Sequence, residues 1–249
     1  MLRYSFIAMV LVATSGTAEA QVATRETPTI AVVGRAEVSA PPDQFKLEAT
    51  VRGRGRTQVE ALRGLADQQR TLSETLPALE GLTRTVVTTG EIRVEPRYDP
   101  ACTANEYADQ RDCAIIGFEA GSSFILLASP AERGGDAVSL AAELGVDRAQ
   151  LEEYGLADPA ALQERANRAA FADAERQARM LADASGRRLL RIQRIQDPRV
   201  RFSTAEGFST DDDDVVVTGS RVRRPTVSVE VAPEPITATS QVTVIYEID

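Results

Sequence analysis

The sequence predicts an α+β fold in which sets of antiparallel strands pack against long helices. Two patterns lead there. Three helical stretches each open with a start signal, and alternating apolar runs fall in pairs between them, which disfavours regular βαβ winding. At 249 residues, 43% hydrophobic and 26% charged, the chain has the apolar content to build one or two cores.

Ile30, Val32, Gly34, Ala36 and Val38 alternate with polar or small neighbours, and after Pro41-Pro42-Asp43 the alternation resumes at Phe45, Leu47, Ala49 and Val51. This reads as an antiparallel pair joined across the prolines. Arg52-Gly53-Arg54-Gly55-Arg56 then reads as an exposed turn into the first helix. That helix starts at Thr57-Gln58-Val59-Glu60, a capping box in which Thr57 accepts from an orphan amide and Glu60 reaches back. Its apolar positions are Val59, Leu62, Leu65, Leu72 and Leu76. Strands are expected over residues 86–94 and 115–128, with a cysteine-bearing loop between them.

Ser129-Pro130-Ala131-Glu132 reads as the second helix start, with proline at the first helical position and an end at Gly145. Gly134-Gly135 is expected to loosen its first turn. Asp158-Pro159 opens the third and longest helix, which runs to Gly186 through Leu162, Ala166, Ala169, Ala170, Ala174, Ala178, Leu181 and Ala182. Its stripe is mostly alanine, which lets a helix backbone approach its neighbour closely and reads as core packing. The last strands are expected over residues 189–195, 227–231 and 241–248.

The N-terminus suggests a compartment. Arg3 precedes an apolar run from Tyr4 to Ala13, and small residues follow to Ala18-Glu19-Ala20, an A-x-A site that would be cut before Gln21. Residues 1–20 therefore read as a secretory signal peptide and residues 21–249 as an exported, periplasmic domain. The run is shorter than the roughly 20 apolar residues a bilayer span needs, so no integral membrane span is expected after removal of the signal. In an oxidising compartment Cys102 and Cys113 are expected to form a local disulfide. A metal pair and a redox couple are the alternatives, but the spacing is not C-x-x-C.

Several short motifs resemble one family in order and spacing. They are Ile30-Ala31-Val32-Val33-Gly34-Arg35-Ala36 followed by Pro42-Asp43, Thr88-Thr89 before Pro96-Arg97-Tyr98, and Gly117-Phe118-Glu119-Ala120. The strongest is the helix with Ala169, Asp173-Ala174, Ala178, Leu181-Ala182 and Gly186, and the ending Val242-Thr243-Val244-Ile245-Tyr246 completes the set. Together they resemble the SIMPL-domain family over residues 28–249. The resemblance implies an α+β fold, an exported bacterial protein, assembly into ring-like or channel-like oligomers in some members, and a link to envelope integrity or oxidative-stress tolerance. It implies no catalytic residues. Phe118 in place of the family's usual tyrosine, the cysteine-bearing insertion and the stretch at 207–225 depart from the pattern.

That last stretch is the most unusual local sequence. Asp211, Asp212, Asp213 and Asp214 are followed by Val215, Val216, Val217, Thr218, Gly219, Ser220 and Arg221. It reads by default as an acidic, β-branched insertion loop that stays solvated. It also resembles the V-V-T-G-S-R segment near the N-terminus of many TonB-dependent outer-membrane receptors, which makes it a candidate strand for pairing with an envelope protein partner. A calcium site lacks the EF-hand spacing.

Composition limits the remaining chemistry. The chain has no histidine, which removes Ser/His/Asp and Cys/His nucleophile systems and His-containing zinc sites. Net charge −9 gives no concentrated basic face for nucleic acid. Arg52 to Arg56 lacks phosphate-loop spacing, and Glu152-Glu153 point apart, so both read as solvated surface. The expected function is non-catalytic and cofactor-free: a homo-oligomeric scaffold or binding protein in envelope homeostasis or stress response. The alternative is a ligand-binding or enzymatic periplasmic domain built on carboxylates and arginines.

Overall fold

A computed structural model describes residues 27–103, 113–202 and 223–249. In order the elements are β1 (Thr29–Ala40), β2 (Gln44–Gly55), α1 (Gln58–Thr75), β3 (Arg84–Thr89), β4 (Arg93–Tyr98), α2 (Pro100–Thr103) and β5 (Ile115–Ser129). A 3₁₀ turn (Ala131–Arg133) follows, then α3 (Gly134–Glu143), β6 (Arg148–Gly155), α4 (Pro159–Ala184), β7 (Leu189–Phe202) and β8 (Ile236–Ile248). One sheet has the order β1-β8-β7, and the other β3-β5-β2-β6 with β4 also on β5. All pairings between these strands are antiparallel, which makes the fold α+β as expected.

The first two strands do not pair with each other. β1 runs beside β8, from Thr29 opposite Glu247 to Ala40 opposite Ile236, while β2 lies between β5 and β6 in the other sheet. The chain changes sheets at the prolines, which lack an N–H for a hairpin ladder. Asp43 fixes the crossing: its N–H donates to the Gly155 carbonyl, and its Oδ1 accepts from Ala157 N–H at 2.7 Å.

Each sheet carries its own core. Phe45, Leu47, Ala49 and Val51 of β2 are buried with Phe124 and Leu126 of β5 beneath α1 and α3. The capping box forms as read: Thr57 Oγ1 accepts from Glu60 N–H, and Glu60 accepts from Thr57 N–H. Yet Val59 and Leu62 are 56% and 39% exposed, while Ala61, Leu65, Leu72 and Leu76 are buried. The reason lies in Gly53. A Cβ there would sit 2.2 Å from the Ala61 carbonyl, so α1 rides directly on the β2 backbone along its small residues. Arg52 to Gly55 are therefore strand residues paired with β5, and not an exposed turn.

Four other expectations are corrected. Residues 86–94 divide into β3 and β4: β3 pairs with Phe124 to Ser129 of β5, β4 with Ile115 to Gly121, and residues 90–92 between them leave the ladder. Ser129 ends β5 and caps nothing; the helix begins at Gly134, after the 3₁₀ turn. Gly135 is needed for more than loosening a turn: a Cβ on it would lie 2.1 Å from the Val229 carbonyl of a strap that crosses α3. That strap is the region expected as a strand at 227–231, and it is held instead by Asp136, which accepts from Ser228 Oγ at 2.7 Å and Val229 N–H at 3.3 Å. β6 was not expected, since Arg148-Ala149-Gln150-Leu151-Glu152-Glu153 carries only a weak alternation.

α4 forms as read. Asp158 accepts from Ala161 N–H at 3.0 Å, Pro159 opens the helix, and Leu162, Ala166, Ala170, Ala174, Ala178 and Ala182 are buried one turn apart. Leu181, expected in that stripe, is half exposed. The alanines seat the helix on Gly34 of β1, where a Cβ would stand 2.1 Å from the Ala170 carbonyl and 2.8 Å from Ala174 Cβ. Gly34→Ala must push α4 off its sheet. The expected loss is about 1–3 kcal/mol, read as a lower midpoint in urea unfolding, with the second sheet's core retained.

Candidate functional site

The three-stranded sheet treats its two edges differently. At the β1 edge, α4 side chains take backbone groups that β8 does not use: Arg35 N–H donates to Asp173 Oδ2 at 3.0 Å, and Gln177 Nε2 donates to the Val33 carbonyl at 3.2 Å. Gln177 also bonds Asp173 at 2.7 Å, which holds the pair in place. At the other edge, β7 has β8 as its one strand neighbour among the described residues. An open strand edge of this kind is a template for a further strand.

The sheet face beside that edge is also bare. α4 lies chiefly over β1 and β8, where Val32, Val242, Val244 and Tyr246 are buried beneath its alanines. On β7, Ile192 stands opposite Tyr246 and Ile195 opposite Val244, so both share the face α4 covers. They remain 46% and 48% exposed. The result is a groove of about 830 Å³ between α4 and β7, with Phe171, Leu189, Ile192 and Tyr246 along its floor and Arg168, Arg179 and Arg188 on its rim.

Ion pairs tie the start of β7 to the end of β8. Arg191 Nε and Nη2 donate to the two Glu247 oxygens at 2.7 and 3.1 Å, and Arg188 N–H and Nε donate to Asp249 at 2.7 and 2.6 Å. Hydrogen bonding by Arg191 holds Glu247 below the usual carboxylate range, and the Arg188 backbone amide does the same for Asp249. Asp173 is lowered chiefly by the Arg35 amide. Burial raises Tyr246.

The second sheet has a smaller polar groove of about 360 Å³, lined by residues that include Thr50, Arg52, Arg93, Glu95, Glu119 and Ser123. Arg52 reaches Glu119 at 3.3 Å and Asp147 at 3.5 Å, and Arg54 reaches Glu119 at 2.8 Å. These charges neutralise one another across neighbouring strands, which suits a solvated face or a polar ligand.

Cys102 and Cys113 form the expected disulfide, with Cα atoms 5.7 Å apart. It closes the loop at the tip of the β4–β5 ladder, where Asp99 N–H also bonds the Ala114 carbonyl. Ala18, Ala20 and Gln21 of the cleavage site lie outside the described residues, as do Asp211, Asp212, Asp213, Asp214, Val215, Val216, Val217, Thr218, Gly219, Ser220 and Arg221. Glu152 and Glu153 lie on β6, and Glu153 opposes Lys46 of β2. No group of three or more cysteines, aspartates or glutamates placed to hold a metal ion occurs among the described residues. No helix among them is long and apolar enough to cross a membrane.

The sequence profile of the SIMPL family, described as "Protein of unknown function (DUF541)", matches residues 30–246. The chain belongs to the SIMPL family. No curated protein matches it. The match begins at Ile30 on β1 and ends at Tyr246 on β8, and these two residues face each other in the β1–β8 ladder. The SIMPL unit thus closes on itself by pairing its two ends.

Reading the sequence alone missed the β7 groove, since exposed isoleucines on a strand look like core residues until the covering helix is placed. It did find Asp173, as part of the SIMPL-like helix motif, without the contact it makes.

Asp173, Glu247 and Asp249 have lowered folded-state pKa values, so their stabilisation is complete above the unfolded carboxylate range and is lost as pH falls through and below about 4. Melting temperature should be flat near neutrality and fall on acidification, and Asp173→Ala should lower it by a few degrees at pH 7 while flattening the acid limb. Replacing both Cys102 and Cys113 by serine should cost at most about 3 kcal/mol of chain-entropy stabilisation. Far-ultraviolet circular dichroism should be retained; a collapse of both sheets would show a role beyond stapling a loop.

Proposed function

We propose that this SIMPL protein is exported to the periplasm by its N-terminal signal and works there, without catalysis, as an oligomeric scaffold or binding protein in envelope homeostasis or stress tolerance. The observation that carries the reading is the β7 edge with its uncovered isoleucine face, since an open strand next to exposed apolar surface is suited to binding protein chains. The signal-like residues 1–20 motivate the address, and the envelope role that the SIMPL resemblance implies motivates the setting. Partner binding by residues 211–221 belongs to the same reading.

Cell fractionation with N-terminal sequencing should find the mature chain in the periplasm beginning at Gln21. Sedimentation velocity of residues 21–249 at micromolar concentration should give species larger than the monomer, and a strict monomer would remove the assembly part.

A second reading, binding of a polar ligand by arginines and carboxylates, is motivated by the groove around Arg52, Arg93 and Glu119. A large saturable thermal shift with envelope sugars, peptides or metal ions would favour it, because a ligand that binds the native state stabilises it by mass action.

A further inference from the structure

We propose that the open edge of β7 takes residues 211–217 of a second copy of the chain, which would add as a strand beside it. This rests on the assembly reading above and names its interface. Three observations converge on it.

The first is geometric. β7 is the strand of its sheet that α4 covers least, and Ile192 and Ile195 on that face stay 46% and 48% exposed. The opposite edge cannot serve the same way, because Asp173 and Gln177 already occupy the Arg35 amide and Val33 carbonyl of β1. An incoming strand must therefore bring a free edge of its own.

The second is charge. The chain is acidic overall at −9, yet β7 carries four arginines against one aspartate, and of these Arg191 is paired with Glu247. Arg194 and Arg201 on β7 have no carboxylate partner among the described residues, and they stand opposite Ile245 and Thr239 of β8. Pairing β7 with the β7 of another copy would set arginine against arginine. An acidic strand removes that conflict, and the sequence holds one: Asp211 to Asp214, followed by the β-branched Val215, Val216 and Val217. Antiparallel addition puts the aspartates toward the Arg199 and Arg201 end of β7 and the valines toward Ile195 and Ile192.

The third is reach. Phe202 ends β7, and Arg223 is held on its own copy by bonds between its N–H and the Ala78 carbonyl and between its carbonyl and Glu80 N–H. The intervening residues 203–222 are long enough for their midpoint to extend up to about 35 Å from those anchors. Since each copy carries both an edge and a strand, the contact is head-to-tail and builds rings or chains instead of closed pairs.

Charge reversal tests it. One variant carries Asp211→Lys, Asp212→Lys, Asp213→Lys and Asp214→Lys; the other carries Arg194→Glu, Arg199→Glu and Arg201→Glu. In sedimentation velocity each alone should associate about tenfold or more weakly than the unaltered protein, and mixing the two should restore larger species. Circular dichroism and a melting curve confirm folding, and a milder set with the four aspartates changed to asparagine gives the same reading if either reversal misfolds. Reversed variants that assemble like the unaltered protein overturn this interface and leave assembly itself standing. Weakened variants that fail to restore one another on mixing also overturn it, because opposite charges on the two segments then do not rebuild the contact. An unaltered protein that is strictly monomeric removes the assembly reading and this interface together.

Discussion

The seat of α4 on β1 sets most of what is distinctive in this molecule. A helix normally stands about 10 Å from the sheet it covers, and only small residues allow a closer approach. Here Gly34 on the strand and Ala170 and Ala174 on the helix remove the side chains that would hold the two apart. Close contact at one strand fixes where the helix axis can lie. Drawn toward β1, α4 covers β8 as well but reaches β7 only near Leu189, and Ile192 and Ile195 are left half exposed. The same placement brings Asp173 and Gln177 within reach of the β1 backbone, so one packing choice closes one edge of the sheet and opens the other.

A related device operates in the second sheet. Gly53 lets α1 press on β2, and Ala61 occupies the contact that a larger residue would otherwise take. Both helices thus settle by backbone approach at a strand glycine, and the large aliphatic side chains pack around that contact. This explains why Leu65, Leu72 and Leu76 are buried while Val59 and Leu62 on the same helix are not.

How much of this the sequence disclosed depends on the range of the interaction. The capping box at Thr57, the cap at Asp158, the alanine stripe of α4 and the cysteine pair are local, and each was legible. Partner choice among strands was not. β1 and β2 look like a hairpin because they are adjacent and alternate, yet β1 pairs with β8 from the far end of the chain. Pro41 and Pro42 were a visible hint, since they cannot donate to a ladder, but nothing local names the distant partner. The start at Ser129 failed for a related reason: its residues suit a helix cap, and β5 claims Ser129 for its own ladder with β3. The groove on β7 was beyond reach because it is defined by where a helix from another part of the chain does not go.

The connection from β7 to β8 shows that the two sheets are tied by more than the crossing at Asp43. These strands are neighbours, and a short turn would join them, yet the chain travels across the other sheet's helices before returning. Along that path Arg223 bonds the Ala78 carbonyl and Glu80 N–H, Arg224 pairs with Glu80, Thr226 N–H reaches Glu143, and Ser228 and Val229 meet Asp136. Lengthening a loop costs little, about 0.6 kcal/mol for each doubling. A few such bonds offset that, including those to Asp136, which is itself almost fully buried and paired with Arg133 at 2.7 Å. Gly135 confirms that the passage is specific, because the strap fits only where that residue has no side chain. The strap therefore acts as a second clasp between the halves, and it fixes on the second sheet the point from which the acidic stretch departs.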